Sequence, residues 1–363
     1  MRALQVCPSD HPPFLELCKS HAAALERAGL IVDTVFLGRP VEQRCETATY
    51  LGIERGTRRM VRALSNYCAQ RRYRLIVTHR YRAHQVVTLA GRVVTDATVI
   101  AISHGFGMFA RARRRWRQRL LARNVLFAGV SSAVADDLLR DHPQLMHTVV
   151  VPNLADPQRL DRARLSRNVA RARLDVPASA YVVGVIGRLR AVKRPLLALE
   201  GFAGASSLPA DARMVFIGNG VLRAPLELLA ANRAIEARVH FAGHLVDAAQ
   251  YLSAFDVLLV ASDPIEGFGM TILEGMLAGV PIVCSDVPGP RSVLGPDGIY
   301  FSGDAAADLS SALIRCAELP DAAREQLCSA QRARAEREFS VAAVAEIYRR
   351  LLSTGGPRPA ASS

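Results

Sequence analysis

The sequence predicts an α/β protein built from two doubly wound parallel-sheet domains. Three observations lead there. Short runs rich in Val, Ile and Leu alternate with helical stretches along the whole chain. Those runs lack the in–out alternation of half-solvated strands, as expected of strands buried on both faces of a parallel sheet. The length of 363 residues is enough for two domains of ordinary size, each with its own core.

Taken in order, the expected strands of the first half are Ala3–Cys7, Ile31–Leu37, Arg74–Thr78, Thr98–Ser103, Leu126–Val130 and Thr148–Val151. Those of the second half are Tyr181–Gly187, Arg213–Gly218, Val239–Ala242, Val257–Ala261, Pro281–Ser285 and Gly298–Phe301. A boundary is read between 153 and 178, where an Arg-rich polar stretch precedes a fresh first strand. The expected domains are residues 1–165 and 166–335, each Rossmann-like. A last helix within 336–354 is expected to cross back to the first domain, and the Gly/Pro/Ala/Ser tail 355–363 to be disordered.

Half the residues are hydrophobic and 22% charged, which fits a globular chain rather than a disordered one. No run approaches the roughly 20 apolar residues of a membrane span. Met1–Pro8 reads as a strand and lacks the apolar run and cleavage site of a signal peptide, so a cytoplasmic location is expected. The seven cysteines, at 7, 18, 45, 68, 284, 316 and 328, form no CxxC pair and are expected to be free thiols. The net charge of +13 is lopsided: residues 1–165 hold 26 Lys and Arg against 13 Asp and Glu, and the rest is neutral. One half therefore faces an anionic partner, be it nucleic acid, anionic lipid or a phosphorylated acceptor.

The strongest constellation is Asp263–Pro281. A strand ends near Ala261, a loop comes next, and a helix runs from about Gly269 to Gly279 before the next strand. Glu266 falls in the loop and Glu274 in the helix, both at the C-terminal edge of the sheet, where open α/β sheets bind ligands. The free amides around Gly267, Phe268, Gly269, Met270 and Thr271 suit a diphosphate. Carboxylates suit sugar or ribose hydroxyls, from which they accept hydrogen bonds. Arg188 and Lys193 flank the turn after the strand 181–187, and two fixed cations there would neutralise a diphosphate leaving group. Lysine occurs only at 19 and 193 in the entire chain. The turn Gly218-Asn219-Gly220 has Arg223, not Gly, at its sixth position, so it is not a dinucleotide fingerprint and a dehydrogenase is excluded. His104 comes after the strand 98–103 at the edge of the first sheet, where it could bond a hydroxyl. His79, after the strand 74–78, is a second candidate for acceptor contact.

Glu266 to Glu274 resembles the E-x7-E segment of the family 4 retaining glycosyltransferases, which have the GT-B fold. Gly187–Lys193 is similar to that family's G-R-L-x-x-x-K segment, Phe216–Arg223 to its strand-G-x-G turn, and Val239–Gly243 to the strand and glycine near the nucleobase. Coverage of residues 1–165 is weaker and rests on strand order and His104-Gly105. The resemblance implies two parallel sheets facing an interdomain cleft, with the acceptor on the basic side and the donor nucleotide on the second domain. It implies that Arg188 and Lys193 hold the diphosphate, that Glu274, Gly218, Gly243 and His244 serve the nucleoside, and that Glu266 and His104 serve the transferred sugar. Two stretches depart from the family pattern. Pro8–Pro13 stands where a Gly-rich loop is usual, and Val287–Arg291 where Gly-Gly-x-x-Glu is usual.

No Asp-x-Asp and no cluster at metal spacing is found, so no cofactor and no metal is expected. Residues 111–123 carry seven arginines and the only tryptophan. Phe109, Trp116, Leu120 and Leu121 can share a helical stripe, giving the profile of an interfacial helix on an anionic membrane. Arg113, Arg114, Arg115, Trp116 and Arg117 are thus expected to meet membrane or acceptor. The resulting expectation is a retaining transferase that takes a hexose-like sugar from a UDP- or GDP-linked donor. Its acceptor would be an anionic or lipid-linked envelope glycan, such as a lipopolysaccharide core, at the inner face of the cytoplasmic membrane. A phosphorylase would need a pyridoxal-phosphate lysine, and only Lys193 is near. A nucleic-acid-binding protein would have no use for Glu266 and Glu274, and its stacking aromatics are sparse.

Overall fold

A computed structural model describes residues 1–11, 14–41, 45–91, 97–121, 125–143 and 148–353. The chain divides into two compact units, Met1–Ala155 with Phe339–Ser363, and Asp156–Glu338. The tail 355–363 lies outside the described residues.

The first unit holds a seven-stranded parallel sheet: β1 (Arg2–Cys7), β2 (Ile31–Phe36), β3 (Ala48–Tyr50), β4 (Leu75–His79), β5 (Thr98–Ser103), β6 (Val125–Gly129) and β7 (Thr148–Val150), in spatial order β3-β2-β1-β4-β5-β6-β7. Its helices are α1 (Phe14–Arg27), α2 (Thr57–Cys68), α3 (Arg80–Leu89), α4 (Ala112–Leu121) and α5 (Ser132–Asp141). Leu4, Val6, Val35, Ile76 and Val99 of the sheet bury against Met60 and Leu64 of α2 and Val86 and Val87 of α3. The Ser131 side chain caps α5 by accepting from the Val134 amide. Gly129 lets that helix come close: a Cβ there would lie 2.3 Å from the Ala135 nitrogen.

The second unit holds α6 (Pro157–Ala163), α7 (Arg167–Arg173), β8 (Val182–Ile186), α8 (Pro195–Gly204), β9 (Arg213–Ile217), α9 (Arg223–Asn232), β10 (Val239–Gly243), β11 (Val257–Val260), α10 (Met270–Ala278), β12 (Ile282–Ser285), α11 (Pro288–Leu294), β13 (Ile299–Phe301), α12 (Ala306–Ala317) and α13 (Asp321–Phe339). Its parallel sheet runs β10-β9-β8-β11-β12-β13. The last helix, α14 (Val341–Ser353), packs on α1 of the first unit. Both sheets are doubly wound, so the chain has two Rossmann-like domains.

The twelve strands read from the sequence are present, with ends shifted by one residue in places. β3 is an addition to them, because three residues, Ala-Thr-Tyr, carry too little pattern to mark a strand. The division at 155/156 falls earlier than the expected 165/166. Asp161 pairs with Arg332 at 2.7 Å and Arg164 reaches the Ala278 carbonyl at 3.2 Å, so residues 156–165 are tied into the second unit. With these bounds the first unit holds 26 Lys and Arg against 12 Asp and Glu, or +14, and the second 20 against 21, or −1. All seven cysteines are free. No described helix is long and apolar enough to cross a membrane.

Candidate functional site

In the second unit the C-terminal ends of β8, β9 and β10 are laced together by backbone. The Gly187 amide donates to Ile217 O at 2.9 Å, Leu189 to Asn219 O at 3.0 Å, Leu222 to Leu189 O at 3.1 Å and Gly218 to Gly243 O at 2.7 Å. A Cβ on Gly218 would lie 1.9 Å from Gly187 O, and one on Gly220 2.3 Å from Leu189 O. These glycines are therefore required for close packing of the loops. Gly243 differs from them: it has room for a Cβ and sits at φ 73. His244 stands exposed just beyond them.

The next layer brings the charges together. The Asp263 amide bonds Val192 O at 2.9 Å, docking the loop after β11 onto the 3-10 turn Ala191–Lys193. Lys193 Nζ then lies 2.6 Å from Glu266 Oε2, both side chains largely buried. A Cβ on Gly289 would lie 2.0 Å from Glu266 O. The departure at Val287–Arg291 thus keeps the one feature the loop needs, a glycine behind Glu266. α10 begins after Gly269 at φ 95 with no side-chain cap, and ends at Gly279 at φ 70. The Ile272 and Leu273 amides turn back to Gly269 O, which leaves Met270 and Thr271 at the amide-rich end of the helix. Gly267 and Phe268 line the loop, buried. Burial pushes the Glu274 carboxyl up to about 7, against the pull of Arg159 and Lys193 and with a push from Asp247. Arg188 is exposed, and no side-chain hydrogen bond or ion pair is found for it among the described residues. Of the two cations expected at a diphosphate, the Arg188 side chain is exposed, whereas Lys193 is paired with Glu266.

In the first unit the strand order reverses between β1 and β4, the switch point at which such sheets bind ligands. Gln5 of β1, His79 at the end of β4 and His104 beyond β5 meet there. His79 Nδ1 lies 2.9 Å from His104 Nε2, His79 Nε2 lies 3.3 Å from Gln5 Oε1, and His104 Nδ1 lies 3.0 Å from Asn153 Oδ1. The His21 ring of α1 lies 5.0 Å from His79, tilted by 59°, and bonds the Tyr348 hydroxyl of α14 at 2.9 Å. One reading is corrected: His79 is completely buried, so its ring is not presented to an acceptor. His104 is partly exposed, with both ring nitrogens next to side-chain partners. Gln5, His21, Asn153 and Tyr348 were missed; they come from distant parts of the chain and no local spacing marks them.

α4 carries the basic segment. Trp116 is 63% exposed, whereas Phe109 is 0% exposed and precedes the helix. Phe109 is therefore core and does not share a stripe with Trp116. The Arg114 guanidinium lies 4.3 Å over the Tyr81 ring and donates to Met108 O at 3.0 Å. Arg115 donates to Phe109 O at 2.8 Å and Ala110 O at 2.9 Å. Arg113 stays exposed and Arg117 half-buried. Arg123 and the side chains of Arg119, Leu120 and Leu121 lie outside the described residues.

Residues 166–334 match the family described as Glycosyl transferases group 1. The lipopolysaccharide core biosynthesis glycosyltransferase LpsD of Rhizobium meliloti is 33% identical over 199 residues, 53% of this chain and 55% of that one. A D-inositol 3-phosphate glycosyltransferase of Geodermatophilus obscurus is 35% identical over 180 residues, 46% of this chain and 39% of that one. The chain thus spans about half or less of the curated relatives it matches. The structure of HepE from Anabaena, solved in complex with UDP, superposes with a TM-score of 0.78 at 20% identity, covering 98% of this chain and 100% of that one. That likeness shows the fold of both units.

Proposed function

We propose that this protein is a group 1 glycosyltransferase that moves a hexose-like sugar, with retention of anomeric configuration, from a nucleotide-diphosphate donor to a hydroxyl of an envelope glycan such as a lipopolysaccharide core. The observation that carries the reading is the 2.6 Å contact of Lys193 with Glu266 beside the uncapped start of α10. An anion arriving there meets the Met270 and Thr271 amides and Arg188. It also competes for Lys193, and drawing that ammonium away frees a Glu266 oxygen to accept from the sugar. Glu274, further along α10, is assigned to the ribose hydroxyls. The protein supplies the positive charge, so the transfer is proposed to need no metal. UDP is the first base to test, since HepE was solved with it, with GDP as the other. The acceptor assignment rests on the +14 charge of the first unit and on the likeness to LpsD. The exposed Trp116 and Arg113 support a place against an anionic membrane at its cytoplasmic side.

A panel of UDP- and GDP-sugars, scored by thermal shift and by released nucleoside diphosphate with and without excess EDTA, tests this. The expected result is one stabilising donor whose slow hydrolysis persists in EDTA. Binding of no nucleotide sugar would overturn the assignment, and full recovery of lost activity by Mg²⁺ would overturn its metal-free part.

A further inference from the structure

The +14 of the first unit is confined to part of it. Residues 55–135 hold 17 arginines and one acid, Asp96, so this segment carries +16. The rest of the unit holds 9 Lys and Arg against 11 Asp and Glu, or −2. Three helices lie in the segment, α2 with three arginines, α3 with two and α4 with five, and none of them contains an acidic residue. Asp96 lies outside the described residues.

The topology gathers these helices into one layer. Strands β3, β4, β5 and β6 advance in one direction across the sheet, whereas β1 to β2 steps the other way. Right-handed crossovers then set α2, α3 and α4 on one face and α1 on the other. Contacts between the helices show the same grouping. α2 packs on α3, His84 of α3 lies 2.7 Å from Gln118 of α4, and Arg114 of α4 covers the Tyr81 ring of α3. On the other face α14 packs on α1. There the charges are mixed and paired, as in Lys19 with Glu16 at 2.9 Å and Arg349 with Glu346 at 2.6 Å.

The inward side of the basic layer is apolar: Met60, Leu64 and Cys68 of α2 and Ala83, Val86 and Val87 of α3 are buried. Arg58, Arg59, Arg62, Arg82, Arg113 and Trp116 are exposed on its outward side. No ion pair is found for Arg58, Arg59 or Arg62 among the described residues. Arg58 and Arg62 stand one turn apart, a like-charge pair that destabilises a helix unless an anion answers it. The arginines are spread and do not converge on a point. With neighbouring helices about 8–10 Å apart, the outer axes of the layer are roughly 20 Å apart, far wider than one phosphate. Single-stranded nucleic acid would ask for stacking aromatics. Tyr67 lies under Arg71 and Tyr81 under Arg114, each at 4.3 Å. Trp116, 63% exposed, is the one open aromatic of these helices among the described residues. An outward indole among spread cations fits a membrane interface.

We propose that the outer faces of α2, α3 and α4 together form a docking surface for an anionic phospholipid bilayer, with α2 as much a part of it as α4. The proposal rests on the membrane placement given above and widens it from Arg113 and Trp116 to three helices. The layer runs parallel to the sheet, so a bilayer against it sets the sheet flat along the headgroups. The C-terminal edge of the sheet, with His104, then opens sideways along the lipid surface, where a lipid-linked acceptor stands.

The test is co-sedimentation of the full chain with phosphatidylcholine vesicles, with and without phosphatidylglycerol. The triple variant Arg58→Gln, Arg59→Gln, Arg62→Gln should bind anionic vesicles about 100-fold more weakly, at about fivefold per arginine, with a melting temperature no lower than that of the wild type. Arg58→Lys, Arg59→Lys, Arg62→Lys keeps the charge and should bind as the wild type does. Removing the same charge from the other face, by Lys19→Gln, Arg27→Gln and Arg349→Gln, should change binding by less than about twofold, because screening isolates that face from the bilayer. Equal losses from the two faces, or full binding after loss of the α2 arginines, would overturn the three-helix surface while leaving the α4 placement standing. A wild type that ignores anionic vesicles overturns both, and if it binds a duplex oligonucleotide that the Gln variant releases, the partner is nucleic acid. None of these measurements needs donor or turnover, so failure of the sugar-transfer reading is seen separately, in the nucleotide-sugar panel.

Discussion

The two sheet edges solve opposite electrostatic problems. The first unit carries +14, yet at its switch point it gathers histidines that burial keeps neutral. The second unit carries −1, yet it concentrates Lys193, Glu266 and Glu274 at its edge. Net charge of a unit thus says little about the chemistry of its site. It says where the unit's surface is drawn, while the site is set by which side chains the loops desolvate together.

The contrast is broken most severely by acid. His21 is pushed down to about 3, His84 to about 4, and His79 and His104 well below their ordinary range, all by burial first. All four belong to the first unit. The unfolded chain takes up these protons near pH 6.5 while the folded unit refuses them. The stability that depends on them is intact above pH 6.5 and falls as pH drops toward 4, by up to about 1.4 kcal/mol per pH unit for each histidine. Hydrogen exchange at pH 5 should show α1, β4 and β5 losing protection ahead of β8, β9 and β11. Loss in the reverse order would show that the histidines are not the weak point.

Charge removal in the second unit comes next. Lys193→Ala leaves Glu266 without its ion-pair partner and, on the proposed function, would strip an electrostatic contact from the leaving group. Turnover should fall by about 10²–10³ (roughly 2.7–4 kcal/mol), with Arg188→Ala within the same range. Near-normal turnover in both would take the pair out of the site. The same variants should leave the acid sensitivity of the first unit untouched.

Glu274 sharpens the comparison because its pH dependence runs the other way. Its carboxyl is raised to about 7 from 4.5, by burial first. The folded state therefore holds a proton that the unfolded chain releases, and stability is lost as pH rises from 4.5 through 7. Without donor, Glu274→Gln should raise the melting temperature at pH 8 by at least about 2 °C while weakening donor binding. A variant that melts earlier and binds donor normally would make Glu274 a structural residue.

How much of this was legible divides along the same line. The second unit's edge is written in local spacing: Gly187, Gly218 and Gly269 sit where the backbone needs positive φ, and Glu266 and Glu274 lie on one loop and helix. What spacing could not show is that Lys193 and Glu266 would neutralise each other across 73 residues. The first unit's cluster joins Gln5, His21, His79, His104, Asn153 and Tyr348, which only sheet order and the return of α14 bring together. His79 and His104 were visible as polar residues at strand ends. Their burial was not, because it is made by Phe14 and His21 of a helix far upstream.

The smallest expected effect concerns the surface of the first unit. The seven arginines of residues 111–123 look equivalent in sequence, but the fold separates them. Arg114 is held over Tyr81 and on Met108 O, and Arg115 on the carbonyls of Phe109 and Ala110. Those two fasten α4 to its own unit, and their charge is partly spent on carbonyl dipoles. Arg113 and Trp116 are exposed. An anionic membrane would attract each free cation by about 1 kcal/mol, a contribution that salt screens. Co-sedimentation with anionic vesicles should therefore drop by about fivefold for Arg113→Gln and comparably for Trp116→Ala, which removes an interfacial anchor. Arg115→Gln should instead lower the melting temperature with little loss of vesicle binding. Equal losses for Arg113→Gln and Arg115→Gln would mean that total charge alone governs the surface. Binding to neutral and anionic vesicles alike would leave these arginines to a phosphorylated acceptor.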